Sequence, residues 1–299
     1  MWRPALLCQP AAGRGWPLAI ALGRIALAMA CVALPLLLLV PRLGQLGDAQ
    51  WRPLVHVGKL ALILGLYAAY VVCCERRRPH ELSLRGAGRE WCAGLAAGAL
   101  LFMAVLGVLA VAGAYRITGY NGWTVFHAVL PGMLVGALFE EVVFRALVFR
   151  ILEESLGSWR ALGISALVFG LMHYGNPGAG PVGAMAVGLE AGVLLGAAFM
   201  LTRRLWLCTA IHLAWNAVQG GIFSVAVSGD ARDGVLRATL EGPAWLSGGQ
   251  FGPEASIVAI LLCGTVGALL LRHCVQHGKI VPSSRNRDRN PISLSHDGR

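Results

Sequence analysis

The sequence predicts an all-α fold, a polytopic transmembrane helical bundle of about eight spans. Three observations carry this. The 299 residues are 57% hydrophobic and only 13% charged, with a mean hydropathy of +0.65, whereas soluble domains carry roughly 25% charged residues. Apolar stretches of about 20 residues recur along the chain, each long enough at about 1.5 Å per residue to cross a roughly 30 Å hydrocarbon core. Lys and Arg, finally, fall mostly into alternate connecting segments.

The first apolar stretch, about residues 17–40, is too long for a signal-peptide core and lacks a small-residue cleavage site, so it reads as an uncleaved helix. The others run approximately over 54–74, 92–115, 128–149, 161–174, 182–202, 205–227 and 254–272, the fifth being short. The organisation expected is N-terminal transmembrane helices over 1–124, a core over 125–220, a final loop and helix over 221–272, and a basic tail over 273–299. That tail is rich in Arg, Asn and Ser without apolar periodicity, and is expected to be disordered and drawn to anionic lipid.

The net charge of +10 reports orientation here, not a nucleic-acid partner. With the N-terminus in the cytoplasm, 17 basic residues fall on the inner side and five on the outer: Arg42, Arg52, Arg116, Arg232 and Arg237. Both termini are then cytoplasmic. The Ala-, Gly-, Arg- and Trp-rich composition suggests a bacterium with GC-rich DNA, and the location expected is then a bacterial inner membrane.

Arg24 and Lys59 lie near span ends and can snorkel to the interface, so no function is assigned to them. Gly188, Gly192 and Gly196, like Gly94 and Gly98, recur at four-residue spacing, a small-residue stripe for close helix packing. Pro35 and Pro131 mark places where a helix can bend. The eight cysteines form no C-x-x-C pair, which argues against a disulfide framework or a thiolate zinc site.

Chemistry concentrates in the fourth to seventh spans. Phe139-Glu140-Glu141-Val142-Val143-Phe144-Arg145 places three charges in lipid, each costing at least about 2.5–3.5 kcal/mol if uncompensated. Glu141 and Arg145, four apart, pair on one helical face. Glu140 is left without a local partner, and such a carboxylate in a low-dielectric site is suited to general acid or base work. A purely structural knot of the three residues is the alternative.

The fifth span ends in Phe169-Gly170-Leu171-Met172-His173, and the seventh holds Ile211-His212-Leu213-Ala214-Trp215-Asn216. Counted from the inner span ends, Glu140 lies about 15 Å deep, His173 about 20 Å, and His212 and Asn216 about 12 and 18 Å. Helices far apart in sequence thus bring ionisable groups to similar depth. Cys208 and Ser165 lack a recognisable triad and read as packing residues. Glu190 in the sixth span is open between lining a cavity and making an interhelical contact.

The patterns E-E-x-x-x-R, F-x-x-x-H and H-x-x-x-N, in this order on consecutive apolar segments between about Val125 and Gly220, resemble the CPBP family, the type II CAAX prenyl proteases and bacteriocin-processing (Abi) proteins. The resemblance implies an intramembrane endopeptidase in which Glu140 and His173 activate water while His212 and Asn216 stabilise the oxyanion. Glu141 and Arg145 would support them. It implies a membrane-associated protein or peptide as substrate.

No H-E-x-x-H zinc motif occurs, and the chemistry needs no cofactor. A zinc ion on Glu140, His173 and His212, with an open water position, is the alternative. Two other functions compete: a non-catalytic scaffold or immunity protein that keeps the polar core for folding, and a proton-coupled transporter, which the missing internal repeat disfavours.

Overall fold

The computed structural model describes residues 18–45 and 51–283. Arg3, Arg14 and most of the expected tail lie outside these residues. The described chain is a bundle whose main helices are α1 (Leu18–Gly44), α2 (Arg52–Cys73), α3 (Ala87–Val111), α4 (123–156), α5 (Ser158–Met172), α6 (Gly180–Thr202), α7 (205–222) and α8 (Ile257–Gln276). By length and composition α1, α2, α3, α6 and α8 are each able to cross a membrane, and α5 is a shorter apolar helix of 15 residues. Leu22, Leu37, Leu100, Leu167 and Leu261 are exposed on the outside of the bundle, as a lipid-facing surface requires. The protein is an integral membrane protein.

The expected spans recur with shifted ends, and local chemistry explains the shifts. Helix α3 starts at Ala87, after Gly86 in a left-handed conformation (φ 79°). Helix α4 runs on to Leu156 and stops at Gly157, also at φ 79°. Helix α8 begins at Ile257 because the Ser256 side chain accepts a hydrogen bond from the Ala259 N–H at 3.1 Å, a helix cap that leaves Glu254 in the preceding loop.

Among the described residues four stretches are π-helical: Met29–Ala33, Val142–Phe149, Gly188–Gly192 and Ala217–Ile222. The last three lie in α4, α6 and α7, each at or directly after a polar motif. Such wide turns recur at functional sites in helical proteins.

Both glycine stripes mark close helix crossings. A Cβ on Gly94 would sit 2.8 Å from the Leu207 carbonyl oxygen and one on Gly98 3.0 Å from Ala214 Cβ, so α3 lies directly on α7. On α6, a Cβ at Gly192 would approach Ala166 Cα to 2.9 Å, which presses α6 against α5. The polar face of α7 is thereby held from behind.

At one end of the bundle the helix termini are tied by ions. Arg24 pairs with Glu75 at 2.8 Å and Glu154 at 2.5 Å, and Arg150 with Glu75 at 2.8 Å and Glu154 at 2.9 Å. Arg77 joins through Glu75 at 2.8 Å and Glu81 at 3.0 Å. Arg24 is therefore a joint between α1, α4 and the segment after α2, not a free snorkelling side chain. Burial would raise the Glu75 carboxyl, but Arg150, Arg77 and Arg24 hold it down, from 4.5 to about 2.

The native state thus binds fewer protons at Glu75 than the unfolded chain does. Its stabilisation, on the order of 3 kcal/mol, is complete above about pH 4.5 and lost as the pH falls towards 2. Thermal unfolding in detergent is expected to show this as a drop in Tm between pH 5 and pH 3, and the drop should shrink in Glu75→Gln. An equal pH slope in both proteins would remove Glu75 from the account.

The opposite end carries a two-stranded antiparallel sheet, β1 (Tyr115–Tyr120) and β2 (Leu236–Leu240), with a bulge between Ile117 and Gly119. Asn121 N–H bonds to the Val235 carbonyl at 2.7 Å, and Tyr115 OH to the Phe223 carbonyl at 3.2 Å. These anchor the long loop between α7 and α8 over the bundle. Neither strand was expected from the sequence.

Candidate active site

The site is built from α4 outwards. Glu141 is fully buried, and its Oε1 accepts from His212 Nδ1 at 2.9 Å, joining α4 to α7. Its Oε2 forms an ion pair with Arg145 Nε at 3.1 Å, without hydrogen-bond alignment. Arg145 in turn donates through Nη2 to the Ala191 carbonyl of α6 at 2.9 Å. Its guanidinium lies 4.6 Å from the centroid of the Phe169 ring of α5, a cation–π contact. The expected Glu141–Arg145 pair exists, but it is the middle of a chain of contacts crossing four helices.

Because Nδ1 of His212 points to the Glu141 carboxylate, Nδ1 carries a proton and Nε2 is directed elsewhere. It lies 3.9 Å from Glu140 Oε2, too far for a hydrogen bond. The Glu140 side chain is 31% exposed. It is the one motif acid with access to its surroundings, as a working base must be.

His173 caps the end of α5. Its Nδ1 lies 2.8 Å from the Phe169 carbonyl and its ring 4.8 Å from the Phe169 ring. The carbonyl can only accept, so Nδ1 is the protonated nitrogen and Nε2 is left as an acceptor. The F-x-x-x-H spacing thus has a physical content: Phe169 orients His173 with its backbone and supports Arg145 with its ring.

A cavity of about 40 Å³ brings His173, His212 and Asn216 together, with Phe169 and Trp215 in its wall. This is room for water. Glu140 is not among the lining residues, and approaches the group through His212 instead. The three residues that span counting puts at similar depth thus line one cavity, while Glu140 stands beside it next to His212.

Glu190, open in the sequence, lines this cavity too. So do two residues the sequence reading missed, Ser228 and Glu254 of the long loop. Glu254 accepts from the Ser228 N–H at 2.5 Å and from its hydroxyl at 3.4 Å. Burial pushes its carboxyl up to about 7, against the opposing hydrogen bonds from Ser228 and Gln219 and the charge of His212. The only signal for it in the sequence was an acid at the nominal start of the last span.

Cys208 donates to the Leu205 carbonyl at 3.2 Å and Ser165 to that of Leu162, also at 3.2 Å, both within their own helices. Among the described residues no group of three or more His, Cys, Asp or Glu side chains converges as metal ligands do. Glu140, His173 and His212 are not grouped as ligands of a single ion in this arrangement.

Fold and site together define an integral membrane helical protein with an acid, histidine and amide centre buried between its helices. Residues 121–218, about a third of the chain, match the family model of the Type II CAAX prenyl endopeptidase Rce1-like proteins, in agreement with the CPBP resemblance carried by the three motifs. No curated protein and no solved structure matches the chain.

Proposed function

We propose that the protein is an intramembrane endopeptidase that hydrolyses a peptide bond of a membrane-associated protein or peptide. The observation that carries this reading is the convergence of His173, His212 and Asn216 on one cavity with room for water, with Glu140 beside His212. The family match over 121–218 supports the reaction class.

In the proposed reaction Glu140 takes a proton from water, and the acceptor Nε2 of His173 holds that water by a second hydrogen bond. The water oxygen bonds to the scissile carbonyl carbon. The resulting oxyanion accepts from the Asn216 amide and from His212 Nε2. His212 can donate there only as imidazolium, since its other proton is already on Nδ1. With His212 so charged, Glu140, Glu141, Arg145 and His212 sum to zero. Collapse then breaks the C–N bond, and Glu140 returns its proton to the leaving amine.

Glu141 and Arg145 position His212 and Phe169 without touching substrate. The excess of basic residues on alternate segments supports an orientation with both termini in the cytoplasm, and the composition supports a bacterial inner membrane. The reading requires no cofactor.

Hydrolysis is tested by incubating protein in lipid nanodiscs with membrane-associated peptides in H2(18)O. The expected product carries one heavy oxygen in each new C-terminal carboxylate, detected by mass spectrometry. Intact peptides across a sequence-diverse set would argue for a non-catalytic role instead.

A further inference from the structure

The cavity has a second acidic side that the proposed hydrolysis does not use. Glu190 of α6 is 3% exposed, and its Oε2 has no hydrogen-bond partner. Glu254 is 5% exposed on a short turn, Pro253–Ala255, folded in from the loop. Both carboxyl groups line the same cavity as His173, His212 and Asn216. Among the described residues, no Lys, Arg or His lies within ion-pair distance of either one. Arg145 is committed to Glu141 and Ala191, and His212 to Glu141, while His173, which also lines the cavity, holds its proton on Nδ1 towards the Phe169 carbonyl.

We infer that Glu190 and Glu254 form a subsite for a primary ammonium group of the substrate, either a lysine side chain or a peptide N-terminus, beside the hydrolytic centre. Two buried carboxyl groups facing one space cannot both ionise cheaply without a cation between them. An ammonium supplies three donors and a full positive charge, which answers the unpartnered Glu190 Oε2 directly. Charge geometry selects among cations: an ammonium is a compact point charge with three rotatable donors that can serve two carboxyl groups on different elements, whereas a guanidinium is a planar fixed fork. The position of Glu254 carries the same implication. Burial brings its carboxyl up to about 7, so that it is poised to ionise near neutral pH when a cation arrives.

The inference rests on the peptidase reading for the word substrate, and its test is chosen to be independent of turnover. The full chain carrying Glu140→Gln, in nanodiscs, is titrated with a fluorescent amphiphilic Ala/Leu peptide containing one lysine and a free N-terminus. Two matched peptides replace the lysine by norleucine or acetylate the N-terminus, which separates the two sources of ammonium. One of these changes is expected to weaken binding by about tenfold, the size of a single desolvated charge contact. Glu190→Gln and Glu254→Gln should each cut that preference to about threefold or less, while Glu241→Gln in the outer loop should keep it.

Methylammonium should compete for the site and guanidinium should not, a readout that needs no subsite variant to fold. Equal binding of all three peptides, a preference that survives both Gln substitutions, or equal competition by the two cations would overturn the subsite. An ammonium preference without labelled product would keep the subsite and remove the peptidase. Labelled product without the preference would do the reverse.

Discussion

Replacing Glu140 by Gln is expected to slow peptide hydrolysis by about 10²–10⁴-fold, the usual contribution of a general acid–base group. Stability should change by no more than about 0.5 kcal/mol, because Glu140 is partly exposed and makes no hydrogen bond. The amide keeps the shape of the carboxylate and removes only its capacity to accept a proton. His173→Ala should give a comparable loss, since the Nε2 acceptor facing the cavity disappears. The measurement is single-turnover cleavage of the peptide found with labelled water, beside thermal unfolding of each variant. Full activity in Glu140→Gln would sink the assignment of the base.

Glu141→Ala carries the largest expected effect on folding. It strands Arg145 and removes the acceptor of His212 Nδ1 in a region closed to water. Breaking a buried pair in this way costs about 3–5 kcal/mol. The double variant Glu141→Ala/Arg145→Met removes both charges and should recover most of the lost Tm. Activity should stay down by about 10²-fold or more, because His212 is then free to rotate and to change tautomer. Recovery of stability and activity together would mean that Glu141 merely neutralises Arg145, with no part in orienting His212.

Helical spacing places Glu141 against Arg145, four residues on, and that contact is present. The i,i+4 rule sees one helix at a time, so the hydrogen bond to His212 on α7 was out of its reach. Span counting worked for the related reason that lipid imposes a length on each helix separately. Depth arithmetic could add one shared coordinate across helices, enough to group His173, His212 and Asn216. It could not supply rotation about each helix axis, which decides that Glu140 meets His212 beside the cavity.

What escaped was non-local. Strands β1 and β2 are short and far apart in the sequence, and their pairing is fixed by register between them, not by either pattern alone. Glu254 escaped because only the Ser256 cap shows that α8 starts after it, and only the folded loop shows that it faces Glu190. The glycine stripes were read correctly as packing, yet nothing in them named α7 as the neighbour of α3 or α5 as that of α6.

The ion-paired end of the bundle has one more consequence. Glu140, Glu141 and Arg150 ride on a single continuous helix, with the π-helical Val142–Phe149 stretch between the acids and Arg150. Arg150 is pinned to Glu75 and Glu81 outside the helix, and Glu141 to His212, so both ends of that shaft are keyed, with the wide turn between the keys. Removing one residue from Val142–Phe149 would leave the shaft able to fit either key but not both. The spacing from Glu140 to Arg150 is thus a gearing of the molecule, as fixed by mechanics as the residues themselves are by chemistry.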